Sequence, residues 1–360
     1  MQLHSPLTYS LASSGPVPEY SPLREDIDAE VLVMGTGISG ALTAWHLQRA
    51  GFTCTLIDRR AAATGSTAAS TSLLQYELDT SLCTLSDRIG RKAAEASYLL
   101  CYEAIDQLQQ VCVDCGVPAL FEPRSSLQWA SKPRHLKALR EEVARRKAIG
   151  LDVELLGAAE LSSDYFLEKA GGLYSRKAAQ IDAYSLTQTL LRNLVYNGAT
   201  VYAHTEATHI DWKPKEVVVQ TGNGNRIRAK RLVIACGYES QKYLPKAVEE
   251  LFVTYVLLSK PIAERSFWKD RALLWETDHP YLYLRSTHDN RIILGGKDDR
   301  WNGRPGFPRL PQKTAALEAS LRQLMPQLAF ETDYSWAGIF AGTPDGLPFI
   351  GTVPAQPHTA

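Results

Sequence analysis

The chain has 360 residues, enough for one large or two medium domains. Lys plus Arg and Asp plus Glu both number 39, so the formal net charge is zero; that balance argues against nucleic acid as the main partner, because a phosphate backbone asks for a basic surface. Hydrophobic residues make up 45%, enough for a large core, yet no apolar run approaches the roughly 18 residues that span a bilayer, so the reading is of no integral membrane segment.

Residues 1–27 are proline-rich with few apolar repeats and read as an extended N-terminal arm on the surface. They show no basic segment followed by an apolar one, hence no signal peptide. From 30 to 58 the order is strand, helix, strand. Residues 87–111 carry apolar residues at helical spacing, closed by Gly116 and Pro118. SSLQWAS is a short strand, and KPRHLKALREEVARRKAIG is an amphipathic helix between Pro133 and Gly150. SLTQTLLRNLVYNGATVYAHT reads as helix, Asn-Gly stop and strand. EVVVQTGNGNRIRAKRLVIACG reads as a hairpin with tip TGNGN, then a strong apolar strand from Leu232 to Ala235. From 251 to 297 the runs TYVLLSKPI, ALLWETD, YLYLRST and RIILGGKDD are strands without helices between them, which predicts a mostly antiparallel sheet. Residues 311–329 are helical again.

The six cysteines, Cys54, Cys83, Cys101, Cys112, Cys115 and Cys236, are sparse and fit reduced thiols in a cytoplasm. Cys112 and Cys115 form a lone C-x-x-C without a second ligand pair and read as structural. No metal site is expected: His46 reads as packing, and His279 and His288 lie near strand ends.

Gly35-Thr36-Gly37-Ile38-Ser39-Gly40 is G-x-G-x-x-G between a strand and a helix. The first Gly permits a tight turn, the second lets backbone approach a pyrophosphate, and the third lets helix and strand pack closely. The helix start at Ile38 and Ser39 offers free N–H groups to phosphate. Asp58 ends the second strand, where a carboxylate can accept hydrogen bonds from an adenosine ribose. The motif alone does not choose between FAD and NAD. The acid disfavours NADP, which Arg59 and Arg60 keep open.

Three further strings add to the motif: the small hydroxylated run from Thr64 to Ser72, VIACG ending at Gly237, and WAGIFAGTPDGLPFIG from Trp336 to Gly351. Together with the glycine motif, over residues 25 to 351, they resemble the D-amino-acid-oxidase-like family of FAD-dependent oxidoreductases, which includes glycine oxidase, sarcosine oxidase, D-amino-acid dehydrogenases and γ-glutamylputrescine oxidase. The resemblance implies an α/β fold: a Rossmann-like FAD-binding domain with a parallel central sheet (28–90, 160–240 and 330–360), and a substrate domain with a mostly antiparallel sheet (91–159 and 241–329). It implies FAD contacts at Gly35, Gly37, Ile38, Ser39, Gly40, Asp58, Arg59, Gly65, Ser66, Thr67, Ser70, Ala235, Gly237 and Gly346.

On the substrate side, the resemblance places Arg285 where relatives clamp a substrate carboxylate, with Tyr255 and Tyr283 as wall residues. The plain reading of Arg285 is a strand arginine, with Leu282 and Leu284 on the core face and Tyr283 and Arg285 on the other. Phe340 stands where glycine-oxidase-like members keep an Arg, and RIILGG has Ile where sarcosine-oxidase-like members keep a Lys that promotes reaction with oxygen. That departure counts against oxygen as the natural electron acceptor, which is left unknown between oxygen and a quinone. The implied reaction oxidises the C–N bond of a small amine or amino acid to an imine. A 2-hydroxy-acid or polyol dehydrogenase is the enzymatic alternative, and an inactive remnant acting as a binding protein is the non-enzymatic one. Relatives continue into a strand, a glycine-rich turn and a closing helix beyond the D-G-x-P-x-I-G string, whereas PAQPHTA holds neither turn nor helix. The expectation is that this chain binds FAD weakly and folds poorly.

Overall fold

The structure, a computed structural model, describes residues 1–304 and 306–360. In chain order the elements are α1 (Tyr9–Ser13), β1 (Ile27–Met34), α2 (Ile38–Arg49), β2 (Cys54–Ile57), α3 (Ser66–Ala69), β3 (Leu73–Leu74), α4 (Leu82–Ile89) and α5 (Arg91–Asp114). β4 (Phe121–Trp129), α6 (His135–Ala148), β5 (Val153–Gly157), α7 (Ala158–Tyr165), β6 (Gly171–Ile181), α8 (Ala183–Tyr196) and β7 (Thr200–Tyr202) follow. The remainder is β8 (Ala207–Trp212), β9 (Val217–Thr221), β10 (Arg226–Ile234), β11 (Glu250–Ser259), β12 (Leu273–Glu276), β13 (Tyr283–Ser286), β14 (Ile292–Arg300), α9 (Leu310–Leu324) and β15 (Thr332–Gly342).

The chain divides into two compact units. The first holds Met1–Ser70, Asp182–Glu249 and Pro348–Ala360. Its sheet has the order β7-β2-β1-β10-β9-β8. β7, β2, β1 and β10 are parallel, and β9 and β8 add antiparallel. β2 is buried along its whole length and β1 over its second half, as expected of parallel strands covered on both faces. Leu23, Leu32, Met34, Ile57, Val219, Ile227 and Leu232 form one core cluster. The helix α8 begins at Asp182, whose carboxylate caps the Ser185 N–H at 3.0 Å. At the other edge of β10, Leu232 and Ile234 donate to the carbonyls of His358 and Ala360 at 2.8 and 2.7 Å.

The second unit holds Thr71–Ile181 and Glu250–Leu347. Its sheet has the order β15-β11-β14-β13-β12-β4-β6-β3, with β5 also on β6. Every pairing is antiparallel except β12 with β4. Side chains alternate across the pleat, so cross-strand rows share a face. Leu274, Leu284, Leu294 and Leu257 form one such row, all buried. One residue along, Trp275, Tyr283, Gly295 and Val256 form a row on the opposite face.

The partition corrects the domain boundaries read from sequence. Residues 71–90 belong to the second unit, because β3 pairs with β6. Residues 160–181 go there too, because β6 is bonded on both sides within that sheet. So do 330–347, because β15 pairs with β11 along its length. Residues 241–249 fall in the first unit. The 1–27 segment is not an extended surface arm: Leu11 of α1 packs on Ala63, Ala68 and Tyr184, and Leu3 and Leu23 are buried. The helix expected over 87–111 is two helices, α4 and α5, meeting at Gly90.

None of the six cysteines is joined in a disulfide. Cys112 is buried near the end of α5, and burial pushes its thiol up to about 11. No helix among the described residues is long and apolar enough to cross a membrane. Nor do three or more His, Cys, Asp or Glu side chains among them group as metal ligands.

Candidate functional site: a dinucleotide cradle and an aromatic–acidic sheet face

In the first unit, β1 runs into the glycine turn and then into α2. Gly35 has φ +110°, and a Cβ there would lie 2.2 Å from the Ala235 carbonyl oxygen, so only glycine lets this turn pass the end of β10. A Cβ on Gly40 would lie 1.9 Å from the Gly35 oxygen, with Val33 of β1 next at 3.5 Å. That is the close helix–strand approach assigned to the third glycine. Gly37 is the N-cap of α2 and supplies no side-chain cap. The Ile38 N–H donates instead to Thr67 Oγ1 at 3.0 Å. Thr67 lies in α3, whose N-cap is Gly65. Beside it, Ser66 Oγ is buried and has no hydrogen-bond partner. An orphaned buried hydroxyl next to glycine backbone at a helix start is what a bound pyrophosphate would satisfy.

Asp58 follows β2. Its Oδ2 accepts both the backbone N–H and the hydroxyl of Thr36 at 2.9 Å, and its Oδ1 accepts the Arg60 N–H at 2.9 Å. A carboxylate has about four acceptor positions, so three are filled and one on Oδ1 is left for a ribose hydroxyl. Thr36 escaped the sequence reading, which treated the second motif position as a spacer.

Arg59 is not an open cofactor contact. Its guanidinium pairs with Glu239 and bonds the Met1 carbonyl at 3.2 Å; Arg60 joins the same carboxylate at 3.1 Å. Glu239 lies just beyond Gly237, which has φ +58°. Cys236 is enclosed beneath, and burial first, then Asp58, push its thiol up to about 12. Ala235 meets Gly35 directly, as described. Ser39 lies in the first turn of α2, and Ser70 closes α3. Gly346 belongs to the second unit, in a turn where a Cβ would lie 2.9 Å from Thr80 Oγ1.

In the second unit the relevant face is the Tyr283 face. Gly295 lets the Tyr283 ring lie flat over β14, since a Cβ there would fall 2.2 Å from the ring. The pairings Val253 with Asp299 and Tyr255 with Gly296 show that Thr254 stands opposite two residues, Lys297 and Asp298. That bulge sends the neighbouring acids to opposite sides. Asp299 accepts from Tyr255 Oη at 2.9 Å and from Lys313 of α9 at 2.8 Å. Tyr255 is therefore enclosed against α9 and is separate from Tyr283. Asp298 lies with Thr254 and Tyr283, whose hydroxyls are 3.2 Å apart. Burial, with Asp79 and Asp299 adding to it, raises the Asp298 carboxyl to about 6.

Tyr281 donates to Asp79 at 3.1 Å, and its ring is 5.7 Å from that of Tyr283 and 6.2 Å from that of Trp275. Phe340 stacks on Phe252 at 5.5 Å. Arg285 shares the Tyr283 face, but its guanidinium donates to main chain, from Nε to Thr71 O at 2.6 Å and from an Nη to Ser286 O at 3.1 Å. It fastens the chain where the small-residue run enters this unit. Asp298, Thr254 and Asp79 were missed as site residues; GGKDD, a glycine pair before two acids, was the available signal for the bulge.

The family described as "DAO: FAD dependent oxidoreductase" matches residues 30–359. The chain belongs to this family. Members of this family depend on FAD, and the first sheet, parallel at its centre, and the mostly antiparallel second sheet are the family's α/β fold. The chain is 23% identical, over 96% of its length, to a Rieske 2Fe-2S iron-sulfur protein, YhfW, of Bacillus subtilis (strain 168), of which it spans 66%. It is 24% identical to gamma-glutamylputrescine oxidoreductase of Escherichia coli (strain K12), over 96% of this chain and 81% of that protein. The fold matches the crystal structure of L-proline dehydrogenase from P. horikoshii with TM-score 0.76 at 17% identity, covering 94% of this chain and 87% of that one.

Proposed function

We propose that this family member oxidises the C–N bond of a small amine or amino acid to an imine. The supporting observation is the glycine cradle with its orphaned Ser66 hydroxyl, in a chain similar to a gamma-glutamylputrescine oxidoreductase. The FAD-holding residues in this reading are Gly35, Gly37, Ile38, Ser39 and Gly40 at the pyrophosphate, Ser66 and Thr67 beside it, and Asp58 at the ribose.

When bound, the flavin supplies a two-electron acceptor. The substrate loses two electrons and two protons from its H–C–N–H unit, and water hydrolyses the resulting C=N bond. The protein orients the ligand and fixes proton positions. Burial raises the Tyr283 phenol to about 12, so at neutral pH its hydroxyl stays protonated and can donate a hydrogen bond. Arg285 acts as an anchor for residue 71. The electron acceptor is oxygen or a quinone.

The test is anaerobic. The FAD-loaded chain is mixed with amines, amino acids and 2-hydroxy acids while its visible flavin absorbance is followed, and released nitrogen is assayed. Bleaching by an amine or amino acid with release of ammonia or a smaller amine supports the reading. Bleaching by hydroxy acids alone overturns it in favour of the alcohol-oxidising alternative.

A further inference from the structure

The Tyr283 face carries two carboxylates that have no ion-pair partner among the described residues. Asp298 Oδ1 is enclosed and accepts no hydrogen bond. Among the described residues, Asp79 is bonded only by the neutral Tyr281 hydroxyl. Lys313, a cation whose charge acts on Asp298, is committed to Asp299 and to the Lys297 carbonyl beside α9. The same face offers little to an anion: the Arg285 guanidinium is bonded to the Thr71 and Ser286 carbonyls, and Phe340 is stacked on Phe252. What it offers is aromatic surface, with Tyr281 against both Tyr283 and Trp275. Carboxylates flanked by aromatic rings suit a cation with hydrocarbon attached, because ring faces attract cations and the acids neutralise the charge.

We propose that this face binds an organic ammonium ion, with Asp298 and Asp79 meeting the charge and Tyr281 and Tyr283 packing on the adjoining carbons. The proposal rests on the amine reading above and narrows it to alkylamines and diamines without an α-carboxylate. The stacked Phe252–Phe340 pair then lies along hydrocarbon, where a carboxylate would find no counter-ion. Asp298 is already pushed up by burial and by Asp79, and an arriving cation lowers it, so binding and ionisation support each other.

The test is calorimetric titration of the FAD-loaded chain without oxygen, using 1,4-diaminobutane, butylamine and glycine. The diamine is expected to bind at least about tenfold more tightly than glycine, the worth of one charge-assisted hydrogen bond. Asp298→Asn should weaken the diamine about tenfold and Asp79→Asn about threefold, with glycine unchanged. If Asp298→Asn does not fold, Asp79→Asn decides, because that carboxylate is exposed and carries no packing. Glycine binding as tightly as the diamine, or a diamine affinity unmoved in the folded variants, overturns the proposal. Diamine binding with these losses but no flavin bleaching by any amine would leave the ammonium site standing and overturn the amine-oxidising reading. Bleaching by amines whose affinity ignores both variants would do the reverse.

Discussion

Asp58 and Thr36 are bonded twice: one carboxylate oxygen takes both the N–H and the hydroxyl of Thr36, each at 2.9 Å. The threonine thereby sets the direction of the one acceptor position left for a ribose. Thr36→Val keeps the N–H and the shape and removes the hydroxyl bond. FAD affinity should fall about fivefold to tenfold, near 1 kcal/mol, while the apo-protein's thermal midpoint stays within a few degrees. Quenching of flavin fluorescence measures it, and an unchanged dissociation constant would show that the hydroxyl does not orient Asp58.

The cradle glycines should be intolerant for backbone reasons. Gly35→Ala puts a methyl 2.2 Å from the Ala235 oxygen and Gly40→Ala puts one 1.9 Å from the Gly35 oxygen, so the turn must move. Each should cost about 2–4 kcal/mol in urea unfolding and abolish stoichiometric FAD. Gly15→Ala, with nothing within 4 Å, is the control and should be silent.

A second buried charge cluster holds the helices of the second unit. Arg146 is 1% exposed and donates to Glu142 at 2.7 Å, with Glu77 at 3.8 Å and the rings of Tyr76 and Tyr98 against it. Glu142 also accepts from the Leu82 and Cys83 N–H groups at the start of α4. Arg146→Met should cost about 3–5 kcal/mol, because it strands two buried acids.

The two acids of that cluster respond to pH in opposite senses. Burial works against ionised Glu142, but Arg146 and the α4 N–H groups outweigh it and hold its carboxyl low. That stability is present above the unfolded value and is lost as pH falls through the folded one. Burial raises Glu77 despite Arg146, so its contribution is present at acid pH and lost as pH rises. Glu77→Gln should therefore relieve the loss on the alkaline side, and Glu142→Gln the loss on the acid side. Urea midpoints across the pH range read both, and the same response from both variants would contradict the assignment.

Asp298 gives a sharper pH prediction. Its folded value of about 6 lies above the ordinary 3.8, so the folded state favours its protonated form. That stability is present below the ordinary value and lost as pH rises through about 6. Thr254 and Lys313 favour the ionised form, while burial, Asp79 and Asp299 oppose it. Asp298→Asn should stabilise the protein relative to wild type, by more at about pH 8 than at about pH 5. A constant difference would mean that the carboxyl titrates normally.

The sequence carried the first unit's local chemistry almost completely. The glycine turn, the strand-terminal acid, the TGNGN hairpin and the helix ending at Asn197-Gly198 all rest on backbone preferences within a few residues, and each is where the spacing put it. Within the hydroxylated run, the bond from the Ile38 N–H to Thr67 Oγ1 is a tertiary contact that the string itself does not show. Arg285, Tyr255 and Gly346 were placed by resemblance of short strings, and the partners of each came from elsewhere in the chain: Thr71, Asp299 and Thr80.

By itself the sequence determined the glycine turn and the alternation that sets Tyr283 and Arg285 opposite Leu284, because a strand's two-residue period and a glycine's missing Cβ act locally; the fold class and the dinucleotide came from resemblance to a family. Only the tertiary structure decided which residues belong to which unit, that α1 is part of a core, and that Arg59 and Arg285 are already engaged. It also decided which of two adjacent acids, Asp298 or Asp299, faces Tyr283. That choice turns on one extra residue in β14 opposite Thr254, a matter of register between strands more than forty positions apart, and register is set by the partner strand rather than by the residues that shift.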